Sequence, residues 1–260
     1  DFDYFQALES KILQHQNEDV YTNYVRCGEM YIRSLSYFEK DKEALEKAKE
    51  IYDKILSAGI DNSEAMRMAE YLYGWQLFLA DRFTESLKVL ECAYNQLEET
   101  KDVRYICKKN IYSMYSQVLY TYAEDDKRYE QIMMQWLLAC DREIRKREAE
   151  DGVYSKRANF VRQDKADIYS KLDQDDKALE IQREIYEAMK GLYKEGDLRL
   201  CSYKFDMAQT HWQLGEYEVA LSLLFEVEAI YRINEVEDEE YASLYGEIRD
   251  CYSQMLEYDK

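Results

Sequence analysis

Residues 200–233 read LCSYKFDMAQTHWQLGEYEVALSLLFEVEAIYRI, and this segment decides the fold of the chain. Its first half contains the small residue Ala208, and its second half begins near the pair Ala220-Leu221. A polar break at residues 214–217 separates the two halves. The apolar residues of the second half follow the spacing of an amphipathic helix: Leu221, Leu224, Val227 and Tyr231. The segment therefore predicts two helices joined by a short turn, which is a helix hairpin.

The same pattern recurs along the chain, which indicates a repeat architecture. The equivalent pairs are Ala44-Leu45, Ser86-Leu87, Arg128-Tyr129, Ala178-Leu179 and Ala220-Leu221. Successive pairs are 42, 42, 50 and 42 residues apart. Upstream of each pair stands a residue that is small in most copies: Ile32, Gly74, Ser116, Ala166 and Ala208. Small residues here allow two helix backbones to approach closely, so we expect five stacked hairpins.

We predict a single repeat array over residues 1–260. Its repeats span about 24–65, 66–107, 108–157, 158–199 and 200–237, with extra helices at 1–14 and 238–257. Five hairpins and two single helices give an all-α fold of about 12 helices. Aspartates recur in the breaks within the hairpins. We expect them to begin the second helices, because a carboxylate accepts hydrogen bonds from the free N–H groups at a helix start.

The composition agrees with an all-helical chain and limits its partners. The 260 residues include no proline and only 8 glycines, the residues that most often interrupt helices. A formal net charge of −19 disfavours nucleic acid and anionic membranes, and it favours a basic ligand. The longest uncharged stretch, residues 110–123, is too short and too polar to span a membrane. We therefore expect a cytoplasmic protein that binds neither nucleic acid nor membrane.

The five hairpins resemble tetratricopeptide repeats. The best copy matches that pattern at Met207-Ala208, Trp212, Gly215 and Ala220-Leu221. The 42-residue period is similar to the longer variant of kinesin light chains and of bacterial peptide-sensing regulators. The proline that often closes such a repeat is absent from every copy. The resemblance implies a solenoid, a right-handed superhelix of antiparallel helix hairpins, whose first helices line a concave groove that binds a protein or peptide.

With the small residue as the register mark, the resemblance implies ten peptide-binding positions on the first helices. They are Arg33, Tyr71, Trp75, Asn110, Gln117, Gln163, Asp167, Phe205, Gln209 and Trp212. The amide side chains both donate and accept, so they suit the backbone of an extended peptide, and the aromatic rings offer apolar pockets. Ordinary packing between helices is the alternative for these aromatic residues, because a chain with 26 tyrosines uses most of its rings in that way.

The sequence contains no recognisable catalytic or metal-binding motif. The two histidines, His15 and His211, have no metal-ligand spacing, and no glycine-rich phosphate loop occurs. The six cysteines are dispersed, without the short spacing of a zinc site. Acidic runs at 124–126 and 173–176 fall in repeat breaks, where helix capping explains them. We therefore predict no cofactor, no metal and no enzymatic activity.

Three functions of different classes follow from this pattern. The first is a non-catalytic scaffold that binds a protein or peptide, possibly a basic one, in its groove. The second is the ligand-sensing domain of a larger signalling or transcription-regulatory protein, because the chain begins with Asp and suggests a fragment. The third, a remote one, is an all-helical enzyme that uses the paired aspartates. Homo-oligomers through the tyrosine-rich outer helices are compatible with the first two.

Overall fold

The computed structural model describes residues 17–100, 102–194, 196–236 and 238–258. In these ranges the chain forms eleven α-helices and no strand. They are α1 (Glu18–Tyr37), α2 (Asp41–Ser57), α3 (Glu64–Leu79), α4 (Phe83–Asn95), α5 (Tyr105–Val118), α6 (Asp126–Asp151), α7 (Lys156–Lys171), α8 (Asp175–Lys190), α9 (Cys201–Gln213), α10 (Tyr217–Ile233) and α11 (Asp238–Tyr258). A π-helical turn, Leu119–Ala123, follows α5, and a 3-10 turn, Leu198–Leu200, precedes α9. The predicted helix 1–14 lies outside the described residues.

The chain divides into two compact units, an N-terminal unit of residues 1–136 and a C-terminal unit of residues 137–260. In the N-terminal unit, α1 packs on α2 and α3 packs on α4, and the first helices α1, α3 and α5 are neighbours. In the C-terminal unit, α7 packs on α8, α9 on α10, and α10 on α11. The prediction of an all-α fold built from successive helix hairpins is confirmed. A single array over residues 1–260 stays a prediction.

The predicted small positions are the points where the helices of a hairpin touch. In the second hairpin, a Cβ atom on Gly74 would lie 2.7 Å from Cγ of Leu90, which is fully buried on α4. The Ser86 hydroxyl donates a hydrogen bond of 2.7 Å to the Gly74 carbonyl. Ala166 and Ala178 are also fully buried at the equivalent positions. Residues without a large side chain are therefore needed at these places because the backbones approach closely.

In the turns inside the hairpins, two aspartates have a different role from the predicted one. Asp81 and Asp173 adopt the left-handed conformation, with φ of 58° and 54°. These two residues end the first helices of their hairpins, because the N–H of the following residue donates a hydrogen bond back to the helix. In the second hairpin, the Arg82 N–H donates to the Leu77 carbonyl at 2.9 Å.

The caps of α4 and α8 make no side-chain hydrogen bond. The expectation that aspartates begin the second helices was therefore wrong for Asp81 and Asp173, because the turn needs a left-handed residue at these positions. Asp41 and Asp175 are the first residues of α2 and α8, as expected.

The third hairpin departs from the others at its turn. Here the first helix ends in the π-helical turn, and Glu124 is the left-handed residue with a φ of 49°. Asp125 does cap the second helix, since its carboxylate accepts from the Arg128 N–H at 3.1 Å. Arg128 occupies the position where most copies have Ala or Ser, and its guanidinium lies over the Tyr115 ring at 5.4 Å. A long cationic side chain therefore stands at the position that is small in most other copies, in the same hairpin as the irregular turn.

The close contact at Gly74 leads to a stability prediction. Gly74→Ala should lower the free energy of unfolding by about 1–3 kcal/mol, because the new methyl group overlaps a buried side chain. Gly246→Ala on α11 is the matched control, since its Cβ would meet no atom within 4 Å. That control should raise the free energy of unfolding by about 0.5–1 kcal/mol through helix propensity. Chemical denaturation measures both variants, and equal effects would contradict the close-contact argument.

The left-handed turns lead to a second stability prediction. Asp81→Gly should raise the free energy of unfolding by about 0.5–1 kcal/mol, because glycine adopts positive φ without a steric penalty. Gly215→Ala is the reverse change at the equivalent turn, where φ is 75° and no atom lies within 4 Å of the new Cβ. It should lower the free energy of unfolding by a similar amount. Thermal unfolding of both variants checks the pair, and the same sign in both would refute it.

Candidate functional site

A pocket in the N-terminal unit collects several of the predicted groove residues. It measures about 240 Å³ and lies against the first helices α1, α3 and α5. Its lining comprises Arg26, Glu29, Arg33, Met68, Tyr71, Arg104, Ile106, Cys107 and Asn110. Among the predicted residues, Arg33, Tyr71 and Asn110 therefore meet in one pocket, although they come from three different hairpins.

A stack of side chains borders this pocket. The rings of Tyr71 and Trp75 are almost parallel, with centroids 6.3 Å apart and an angle of 9° between their planes. The Arg33 guanidinium lies 5.0 Å from the centroid of the Trp75 ring, and its Nη2 is 2.8 Å from Oε1 of Glu29. Burial raises the pKa of Tyr71 to about 12, so its hydroxyl stays protonated. Arg33 and the two rings thus form one fixed cationic and aromatic surface.

Asn110 differs from the other predicted amides because it is half-buried and its side chain has no partner among the described residues. It is half-buried in the pocket, and no hydrogen bond to its amide occurs among the described residues. Gln117 lies on the same helix, exposed and outside the pocket lining. In the C-terminal unit, Gln163 donates to Asp167 at 3.3 Å, and Gln209 donates to Glu247 at 3.1 Å. These two glutamines already use a donor within the protein.

Arg104 and Glu64 belong to the same surface and were not predicted. Glu64 is buried at the start of α3, and its carboxylate accepts from the Arg104 backbone N–H at 2.9 Å and from Arg104 Nε at 2.5 Å. Arg26 Nη2 lies 3.8 Å from the same carboxylate. Burial is the main cause that raises the pKa of Glu64. The 40-residue separation of Glu64 and Arg104 is close to the repeat period, and this signal could have revealed the pair.

The predicted aromatic residues of the C-terminal unit have different environments. Phe205 lines a pocket of about 500 Å³ together with Leu198, Asp206 and Tyr231. Phe205 and Trp212 both pack against the hydrophobic core of this unit, and the Trp212 ring centroid lies 6.4 Å from that of Tyr217. The packing alternative therefore describes Trp212, and Phe205 both packs on the core and faces a cavity.

Asp206 is a further residue that sequence reasoning missed. It lines the Phe205 pocket, and burial together with the nearby charge of Asp167 raises its pKa to about 6. No hydrogen bond or ion pair to its carboxylate occurs within the described ranges. The repeat register does not identify Asp206 as a special position. The residues that bury its carboxylate come from several segments that are separate in the sequence.

In the part of the chain that the structure describes, no three His, Cys, Asp or Glu side chains are grouped so as to hold a metal ion. His211 is buried, and its Nδ1 lies 2.5 Å from Oε2 of Glu216 at the hairpin turn, as expected for a packed histidine. Across the described helices, none is both long enough and apolar enough to cross a bilayer.

Successive helix hairpins with small residues at the contacts, and neighbouring first helices that line a pocket, define the tetratricopeptide-like class of helical-repeat proteins. The chain has this fold. No protein-family model and no curated protein sequence matches the chain. Solved structures do match it.

Two of these structures illustrate the similarity. A protein from Podosopora anserina, assigned as a kinesin light chain with nearly identical TPR-like repeats, is 12% identical with a TM-score of 0.63. The match covers 82% of this chain and 97% of that one. BtubC (BKLC) from P. vanneervenii is 14% identical with a TM-score of 0.51, and the match covers 85% and 84% of the two chains. The predicted resemblance is confirmed at the level of the fold.

The buried carboxylate of Asp206 leads to a prediction of pH dependence. Its folded pKa of about 6 exceeds the ordinary value of 3.8, so ionisation in the folded protein costs stability. The free energy of unfolding should therefore fall as the pH rises from about 4 through about 6. Asp206→Asn should remove this contribution and be more stable than the wild type by about 1–3 kcal/mol at pH 7.5.

Urea denaturation between pH 4 and 8 measures this difference. Glu180→Gln, an exposed change on α8, is the control and should leave the pH profile unaltered. Parallel profiles for wild type and Asp206→Asn would show that Asp206 has an ordinary pKa.

Proposed function

We propose that this chain is a non-catalytic helical-repeat scaffold that binds an extended peptide segment along its first helices. The observation that carries this proposal is the half-buried amide of Asn110, which lies without a partner in a pocket beside Arg33 and Tyr71. A polar group that is partly removed from water gains most from a ligand that completes its hydrogen bonds. A peptide backbone supplies a donor and an acceptor at once.

The surroundings of Asn110 suit a peptide side chain as well as its backbone. Trp75 is half-buried, Met68 lines the pocket, and Ile106 is 42% exposed, so apolar area is available beside the amide. Aromatic and aliphatic anchors of this kind contribute most of the affinity at peptide interfaces. Tyr71 and Trp75 are held by stacking and by Arg33, so binding costs little side-chain entropy.

Most of the charges around this pocket are paired within the protein. Arg33 is paired with Glu29, whereas Arg26 and Arg104 share Glu64. Two carboxylates thus balance two of the three arginine charges, and these pairs leave one positive charge at the pocket. The formal charge of −19 then dominates at long range and favours the approach of a basic segment.

A binding assay with a defined library tests the proposal. Immobilised wild-type protein selects from a display library of random ten-residue peptides, and enriched peptides are titrated by calorimetry. Asn110→Ala should weaken the binding of enriched peptides by about ten-fold, the effect of one lost hydrogen-bonding amide. Gln131→Ala is the matched control, since this exposed amide lies on the second helix α6. Its affinity should equal that of the wild type.

Two results would contradict the proposal. Wild-type protein that enriches no peptide above a blank surface would remove peptide binding as the function. Equal losses in Asn110→Ala and Gln131→Ala would remove the assignment to the pocket on α1, α3 and α5. Circular dichroism of both variants verifies that the helices are intact.

A further inference from the structure

The pocket beside Phe205 combines an apolar wall with one carboxylate. Leu198, Cys201, Phe205 and Tyr231 supply apolar surface, and Asp206 supplies the charge. Its volume of about 500 Å³ exceeds that of the pocket around Asn110. The wall extends over the 3-10 turn, α9 and α10, all of which belong to the C-terminal unit.

The Asp206 carboxylate differs from two other buried acids, Glu64 and Glu70, because it has no partner among the described residues. Glu64 is paired with Arg104, and Glu70 is paired with Arg67 at 2.9 Å. Within the described residues, the Asp206 carboxylate has no hydrogen bond and no cation beside it. Desolvated charge without a partner is unfavourable, so a cation that enters the pocket gains attraction that water does not supply.

A second acid strengthens the negative potential at this place. Asp167 on α7 lies close enough to raise the pKa of Asp206 by charge repulsion. Gln163 donates a hydrogen bond to the Asp167 carboxylate at 3.3 Å. The pocket itself is an apolar cavity lined by one carboxylate, Asp206, and it is complementary to a cation on an apolar stem.

We propose that this pocket binds a lysine side chain of a peptide segment. The lysine methylenes lie against Phe205 and Leu198, and the ammonium donates to Asp206. Tyr231 and Phe205 offer ring faces that attract a cation. This inference rests on the proposed peptide-binding function and adds a preference for one residue type.

The chemistry favours lysine over the other cations. A metal ion needs several oxygen ligands, and the described residues hold no such group of acids or other ligands. The ammonium of lysine is a compact charge that one carboxylate can partner, and its four-carbon stem buries well along apolar surface.

A small-molecule titration tests the pocket without any peptide. The probe is n-pentylammonium, which has the charge and the four methylenes of the lysine side chain with one carbon in the place of Cα, and the neutral comparison is 1-pentanol. Nuclear magnetic resonance should show that pentylammonium shifts the amide signals of Cys201 and Phe205. The dissociation constant should be about ten-fold higher in Asp206→Asn, the loss of one ionic hydrogen bond. Glu180→Gln removes an exposed charge from α8 and should behave as the wild type.

A selection from the peptide library tests the link to function. Wild-type protein should enrich peptides that carry lysine beside apolar residues. Asp206→Asn should still enrich peptides but lose the lysine preference by about ten-fold, because only one contact is removed. This variant is expected to fold, since its stability should increase at neutral pH.

The outcomes separate the two proposals. A response to pentylammonium that 1-pentanol reproduces, or that persists in Asp206→Asn, would overturn the lysine pocket. Enrichment of peptides without a lysine preference would overturn it as well. Failure to enrich any peptide, together with an Asp206-dependent pentylammonium site, would overturn the proposed function and leave an ammonium-binding pocket.

Discussion

Close packing of the two helices within a hairpin is the constraint on which the rest of the structure depends. In the second hairpin, the Gly74 backbone meets Leu90 and accepts the Ser86 hydroxyl at 2.7 Å. Arg67 lies on the same stripe of α3 and bonds to carbonyl groups outside its own helix. A second stripe carries Met68, Tyr71 and Trp75 at the spacing of one helix face. Because the first stripe is used for packing, the second is the one that remains for the pocket.

Two buried acids, one in each compact unit, differ in whether a cation is paired with them. Glu70 is fully enclosed beside Arg67, and burial still raises its pKa to about 7, so desolvation outweighs the attraction of its partner. Asp206 has a similar upward shift without any partner. A buried ion pair can serve the packing of a hairpin, whereas a solitary carboxylate beside a cavity has no structural benefit. The two acids therefore differ in whether a cation partners the carboxylate.

Much of the fold could be predicted because each repeat is recognisable from the spacing of small and apolar residues that are close in the sequence. Ala166, Ala178 and their equivalents recur at fixed spacing, and amphipathic spacing marks the second helices. The role of Asp81 could not be predicted in the same way, since an aspartate suits both a helix start and a left-handed turn. Of the groove residues, Arg33, Tyr71 and Asn110 share a pocket as the register implied, but Trp212 packs into the core.

The sequence by itself determined the helix hairpins, their period and the faces on which aromatic and amide side chains stand, because these depend on neighbours within a few turns. Only the tertiary structure decided which polar groups have partners. Gln209 meets Glu247, and Arg104 meets Glu64, across about one repeat, whereas Asn110 and Asp206 meet none among the described residues. Hydrogen bonding and desolvation depend on the positions of atoms from several helices at once, and a one-dimensional pattern does not contain those positions.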